Sequence, residues 1–274
     1  MNFEAARLPQ LAQLALWAAE HALPAFFLLL ALAWGASWAG WCVWRRAQVR
    51  RHTRAVSHRP SIAWRVAVGL VISLGSAAVF AALALQLGAG TGLSQVDQAL
   101  TDALRASVAP WTQQLFAVLT HLGDPATLTL LGLGIALVLV MHGQRAMALG
   151  WVLALAGNGL LNPTLKQVFG RARPLQAQQF VQATGLSFPS GHSSGAVVAY
   201  GMLAYLALKL LAPRWQLPAL LAAASLVVTV GASRVFLRVH FSSDVLAGFA
   251  SGAAWLALCI TALELVLWWR AGRS

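Results

Sequence analysis

Long apolar runs recur along this chain, most of roughly 18 residues or more, the length a helix needs to cross a bilayer. That feature excludes most folds, because lipid tolerates only backbones that satisfy their own polar groups. We read seven spans, at about 23–44, 65–87, 122–141, 146–164, 194–211, 217–233 and 245–269. The expected fold class is all-α, a polytopic transmembrane helical bundle. Only 9% of the residues are charged, so each ionisable group between the spans carries information.

The net charge of +12 would suggest a nucleic-acid partner in a soluble protein. In a membrane chain its placement sets orientation instead, and no nucleic-acid partner is expected. Residues 45–65, RRAQVRRHTRAVSHRPSIAWR, carry seven arginines and read as a cytoplasmic loop. Fixing that loop inside puts twelve of the nineteen basic residues inside. Five of the remaining seven, Lys166, Arg171, Arg173, Arg234 and Arg238, crowd into two short outer segments. Positive charge on the outer side runs against the orientation rule and needs another reason. Of the acids, Glu264 alone falls near the inner end of the last span.

Other segments add less. The stretch ARLPQLAQLALWAAEH before the first span is mildly amphipathic and is not a signal peptide, since most arginines follow it. Residues 88–121 are too polar to span and read as an external helix, broken at Pro110. Cys42 and Cys259 lie far apart in apolar segments and read as packing residues, with no metal-type spacing.

Three polar clusters fall at span ends on the outer side: KQVFGRARP at 166–174, SFPSGHSSG at 187–195 and SRVFLRVHFSSD at 233–244. Their chemistry points to a phosphate. Lys166 and Arg173 offer a point charge and a planar fork, with Gly170 and Pro174 favouring an unwound helix end. Pro189 and Ser190 precede an apolar helix whose first amides, Gly191 and His192, aim at an anion. Arg234 adds a cation. His240 and Asp244 are four apart, close enough for the carboxylate to fix the imidazole tautomer and stabilise its charged form. Asp244 also suits a plain helix N-terminus, and Arg171 and Arg238 read as surface cations. Gly191/Gly195 and Gly248/Gly252 form small-residue faces that would bring the starts of the fifth and seventh spans together, and with them His192 and His240.

Lys166 with Arg173 and Pro174, the run PSGH at 189–192, and Ser233-Arg234 with His240 and Asp244 together resemble the three-part signature of the type 2 phosphatidic acid phosphatase superfamily. Its members include membrane lipid phosphatases and soluble vanadium haloperoxidases. The resemblance spans about residues 65–269 and implies a six-helix core, here with one extra N-terminal transmembrane helix. The expected division is therefore 1–64 as an extension and 65–274 as the phosphatase domain. The resemblance further implies that Lys166, Arg173, Arg234, Ser190 and Gly191 bind the phosphoryl group, that His240 attacks phosphorus with Asp244 behind it, and that His192 protonates the leaving oxygen. A phosphohistidine would form and be hydrolysed, with no metal and no cofactor.

The expected enzyme is a phosphatase of a bacterial inner membrane with its site on the outer face. Its partners are a lipid phosphate substrate and the surrounding membrane lipids. Undecaprenyl diphosphate ranks first, ahead of phosphatidylglycerol phosphate, phosphatidate and the lipid A phosphate, because an outer site suits a recycled carrier. Phosphoryl transfer to another lipid is the alternative within this chemistry. An anionic-lipid transporter or flippase is the rival from another class, drawing on Asn158 and Asn162 in the fourth span.

Overall fold

The computed structural model describes residues 13–53, 62–88, 91–174 and 184–272. The expectations for residues 1–12, for 54–61 of the basic loop and for Arg273 lie outside them. Following a helical stretch at 13–20 come α1 (Ala22–Thr53), α2 (Ile62–Ala84), α3 (Gly92–Ser107) and α4 (Pro110–Leu119). A 3₁₀ turn (Thr120–Gly123) leads to α5 (Pro125–Met141), α6 (Arg145–Phe169), α7 (Gly191–Leu210), α8 (Pro213–Phe236) and α9 (Ser242–Ala271). No strand occurs among the described residues.

Helices α1, α2, α6, α7, α8 and α9 are each long and apolar enough to cross a membrane. The 17-residue α5 follows the α4 segment across a 43° bend, and only when the two are taken together do they reach the length and apolarity of a crossing. Six of the seven expected spans correspond to those six helices with shifted ends, and the third, 122–141, corresponds to α5. The first helix runs on to Thr53 rather than stopping at 44. Its extension, RRAQVRRHT, carries four arginines with one alanine and one glutamine, good helix formers that need no lipid. The 88–121 segment holds two helices: Thr91 caps the start of α3 by accepting from the Ser94 amide, and Pro110 sets the first turn of α4.

Packing centres on α7, whose Ala196, Ala199 and Met202 are fully buried beside Trp151 of α6 and Val230 of α8. The seam between α7 and α9 is made by small residues. A Cβ at Gly248 would stand 2.6 Å from the Ser190 carbonyl, and one at Gly252 2.8 Å from the Ser194 carbonyl. Without a hydrophobic drive inside lipid, such close backbone approach is what holds helices together. Large apolar side chains such as Leu133, Leu160 and Trp268 face outward instead.

Charges pin each end of the bundle. At one end Glu264 of α9 receives Arg65 of α2 at 2.6 Å, the Tyr205 hydroxyl at 2.6 Å and Lys209 of α7. Those two cations and Glu264 are groups the charge pattern assigns to a single side of the membrane. The opposite end carries the three polar clusters. The added helix α1 packs on α8, where the Trp34 indole donates to Ser225 at 2.9 Å. Nearer the clusters, Phe26 of α1 meets the edge of the Phe116 ring, which stacks on Phe236 at 4.3 Å.

Candidate active site

Each cluster is delivered by a helix end. Helix α6 stops at Phe169 because Gly170 adopts a left-handed conformation (φ 60°), so Arg173 reaches the site from extended chain. Ser190 caps α7, its Oγ accepting from the Ser193 amide at 3.4 Å and from the Ser193 hydroxyl at 2.9 Å. The Gly191 and His192 amides occupy the first turn, ahead of the helix's own hydrogen-bond ladder. A close turn after α8 carries His240, whose amide bonds the Arg234 carbonyl at 3.3 Å, and α9 then begins with Asp244 in its first turn.

The expected pair forms. His240 Nδ1 stands 3.4 Å from Asp244 Oδ2 and 3.3 Å from Ser187 Oγ, while the Ser187 hydroxyl donates to that same carboxylate oxygen. On the other face of the ring, Nε2 is 3.0 Å from Arg173 Nη1. An arginine can only donate, so Nε2 must accept, which puts the ring proton on Nδ1 and a lone pair on Nε2. Complete burial, reinforced by Arg173 and Arg234 and opposed by Asp244, pushes the His240 imidazole down to about 3. Burial likewise lowers the Arg173 guanidinium, although Asp244 pulls the other way. The arrangement presents a neutral nitrogen nucleophile at neutral pH.

Lys166 lies within electrostatic reach of Arg173, Arg234 and Asp244, so the three expected cations converge. Lys166 Nζ donates to the Leu186 carbonyl at 2.5 Å. Arg234 is buried, with Nη1 on Thr120 Oγ1 at 2.6 Å and Nε lacking any partner. Arg173 and Arg234 also act on His192, which places both imidazoles around the same cations. Three mutually repelling cations with spare donors form a socket for a multiply charged anion.

Several participants escaped the sequence reading. His192 Nε2 meets Asp124 Oδ1 at 2.7 Å, and His121 Nδ1 holds Asp124 Oδ2 at 2.6 Å. Arg171, read as a surface cation, instead bridges Asp244 Oδ1 at 2.8 Å, Ser243 Oγ at 2.7 Å and Asp97 Oδ2 at 3.0 Å. Two buried carboxylates draw it in, and its guanidinium lies over the Phe241 ring at 4.2 Å. Asp97 also takes the Ser243 amide at 3.1 Å and both the Ser242 and Ser243 hydroxyls, so α3 supplies the cap of α9. One signal was available: Asp97, Thr101 and Leu104 share a helix face at i, i+4 and i+7, an acid within a buried stripe. Arg238, the other supposed surface cation, is only 4% exposed. Asn162, a residue the transporter alternative draws on, donates to Ser194 at 3.3 Å and abuts Gly191, tying α6 to α7.

Converging cations, a carboxylate-backed histidine and a second histidine, all at one end of a helical bundle, define a membrane-embedded phosphatase. The chain belongs to the PAP2 superfamily, which residues 145–267 match. Among curated relatives it is 33% identical to phosphatidylglycerophosphatase B of Bacillus subtilis over 162 residues, 58% of this chain and 79% of that one. It is 32% identical to a lipid A 1-phosphatase of Rhizobium etli, over 53% of this chain and 68% of the relative. Its fold resembles the crystal structure of a transmembrane PAP2 type phosphatidylglycerolphosphate phosphatase from Bacillus subtilis, with a TM-score of 0.65 and 30% identity. That likeness covers 69% of this chain and 94% of the other.

Proposed function

We propose that the protein hydrolyses a phosphate monoester or diphosphate on a membrane lipid through a phosphohistidine. The observation that carries this reading is the His240 ring, with its proton on the Asp244 side and its lone pair on Arg173, the cation around which Lys166 and Arg234 gather. The phosphoryl group displaces Arg173 from Nε2 and is held by Lys166, Arg173 and Arg234, with the Gly191 amide and the Ser190 hydroxyl beneath it. Nε2 attacks phosphorus in line as the bond to the leaving oxygen breaks, and His192 supplies that oxygen with a proton. Water then attacks the phosphohistidine, His192 takes up its proton, and inorganic phosphate leaves. Fixed cations and helix-end amides stabilise the charge that develops on the phosphoryl oxygens, so no metal is required.

The positive-inside pattern supports an outer-face site in an inner membrane. That placement favours undecaprenyl diphosphate. The Bacillus subtilis relatives' names bring phosphatidylglycerol phosphate level with it, and phosphatidate and the lipid A phosphate follow. Residues 65–274 form the domain that acts, and 1–64 add a helix to it.

A phosphate-release panel on the purified protein tests the reading, using the four lipids and a soluble ester, with and without EDTA. One lipid phosphate turning over well above the soluble ester, unaffected by EDTA and blocked by vanadate, is the expected result. An absolute Mg²⁺ requirement would overturn the mechanism. Loss of the lipid's phosphate to a second lipid without free phosphate would make the enzyme a transferase.

A further inference from the structure

Arg238 has no part in the chemistry above, yet it is a buried cation on strained backbone with an unpartnered Nε. It is the one non-glycine residue among the described residues with positive φ (55°), a conformation that is costly for any residue carrying a Cβ. The side chain is buried, its Nε meets no acceptor, and no carboxylate among the described residues lies within ion-pair distance. It faces a cavity of about 360 Å³ at the junction of α3 and α4, with Arg105 and Ser107 on the rim and Gln113 and Val108 inside. None of the groups that surround His240 lines this space.

The cavity's unmet needs specify an occupant. The second cation, Arg105, acts on Arg238, so two like charges face one space; burial first, then Arg105, lowers the Arg238 guanidinium. Asp102, the nearest acid in sequence, is engaged by Gln98 at 3.0 Å. A buried cation without a partner is costly, and an anion reaching both arginines removes the cost for both. Gln113 donates to the Val108 carbonyl at 3.1 Å, but its buried Oε1 receives no donor. The occupant therefore needs acceptor oxygens for the arginines and a hydroxyl for Gln113. Depth in the membrane narrows the source: Trp111 beside the cavity is exposed, and exposed tryptophans collect at headgroup level.

The geometry points to a second anion site, formed by Arg105, Arg238 and Gln113, that holds the hydroxyl-bearing phosphodiester headgroup of a neighbouring lipid. It stands apart from the phosphoryl socket and does not depend on which lipid is hydrolysed. An anionic lipid seated there would tie α3–α4 to the turn that carries His240, making stability responsive to membrane composition.

The test uses the full chain in phosphatidylcholine nanodiscs, with phosphatidylglycerol titrated in by mole fraction and inorganic phosphate titrated in a separate arm. Thermal unfolding is followed for the wild type, Arg105→Gln and Arg238→Gly, the last chosen because glycine accepts the positive φ. Phosphatidylglycerol should raise the wild-type Tm, with an apparent affinity about tenfold weaker in each variant, on the scale of one charge-assisted hydrogen bond. Arg105→Gln should keep wild-type turnover of a soluble ester in pure phosphatidylcholine. A shift with inorganic phosphate that also needs Arg105 would keep the site but make free phosphate its ligand. Equal shifts in the wild type and Arg105→Gln, or no shift in either, would remove the site, even if Arg238→Gly fails to fold.

Discussion

His240 and Asp244 sit in a dry pocket, their side chains 2% and 0% exposed, whereas His192 and Asp124 keep 18% and 31%. Both are imidazole–carboxylate pairs, yet they are built differently. The buried pair lies four residues apart on one turn and needs support from outside: Ser187, the Phe241 amide at 2.9 Å, Arg171, and Asp97 beyond it. The wetter pair joins residues 68 apart, from the cap of α5 and the first turn of α7, and among the described residues its one further side-chain hydrogen bond is to His121 at the surface. A nucleophile must be held neutral and aimed, which burial and a saturated carboxylate accomplish. A group that gives and retakes a proton needs a path to water, and deep burial would deny it one.

If that division of labour is right, the largest effect separates the two histidines by leaving group. His240→Ala should abolish phosphate release for every ester, because no other group makes the bond to phosphorus. His192→Ala should cost about 10²–10⁴ with a lipid ester. With p-nitrophenyl phosphate, whose leaving oxygen needs no proton, it should cost far less. Steady-state rates on both substrates check this, and equal losses for both variants on both substrates would break the comparison. The pH profile sharpens it. Since the free-enzyme His240 is held near 3, kcat/KM should not lose its nucleophile as pH falls through the ordinary histidine value of about 6.5. A nucleophile titrating at about 6.5 would mean that burial does not govern His240.

The next effect concerns the carboxylates behind the pairs. Asp97→Asn leaves Arg171 with a single buried counter-charge and weakens the cap of α9, so unfolding should become easier by about 3–5 kcal/mol. Asp124→Asn breaks a half-exposed contact and should scarcely move Tm, while slowing the lipid ester as His192→Ala does. Thermal scans in detergent alongside rates separate these. A stable Asp97→Asn with wild-type turnover would mean that the second layer contributes nothing.

What was legible in the sequence follows the same split. Six spans and the three clusters could be read because apolar length and local spacing are one-dimensional signals; His240 and Asp244 are four residues apart, and Ser190 sits beside the α7 turn it caps. The fold class and the meeting of the α7 and α9 starts across Gly248 and Gly252 followed from the same kind of pattern. Asp97 and Arg171 were missed because their contact spans 74 residues and joins an amphipathic surface helix to a loop. Charges in such places look solvated until the fold encloses them. Arg238 was misread for a further reason: a positive φ in a close turn points a loop side chain inward, and nothing local in RVH announces it.

The smallest effect tests how far the wetter pair depends on its surface partner. His121 is 66% exposed at the side chain and holds only the outer oxygen of Asp124, while His192 holds the other. Exposed ion pairs contribute about 0–1 kcal/mol, so His121→Ala should slow turnover of a lipid ester by no more than about fivefold. Tm should stay unchanged, and the soluble p-nitrophenyl ester should be turned over as by the wild type. The comparison treats water as the proton's route to His192 and makes His121 a prop for the carboxylate. A loss approaching that of His192→Ala, rescued by added imidazole, would instead make His121 the relay through which the acid is recharged. The wetter pair would then be a three-membered chain, His192–Asp124–His121, with an ordered path to solvent in place of simple exposure.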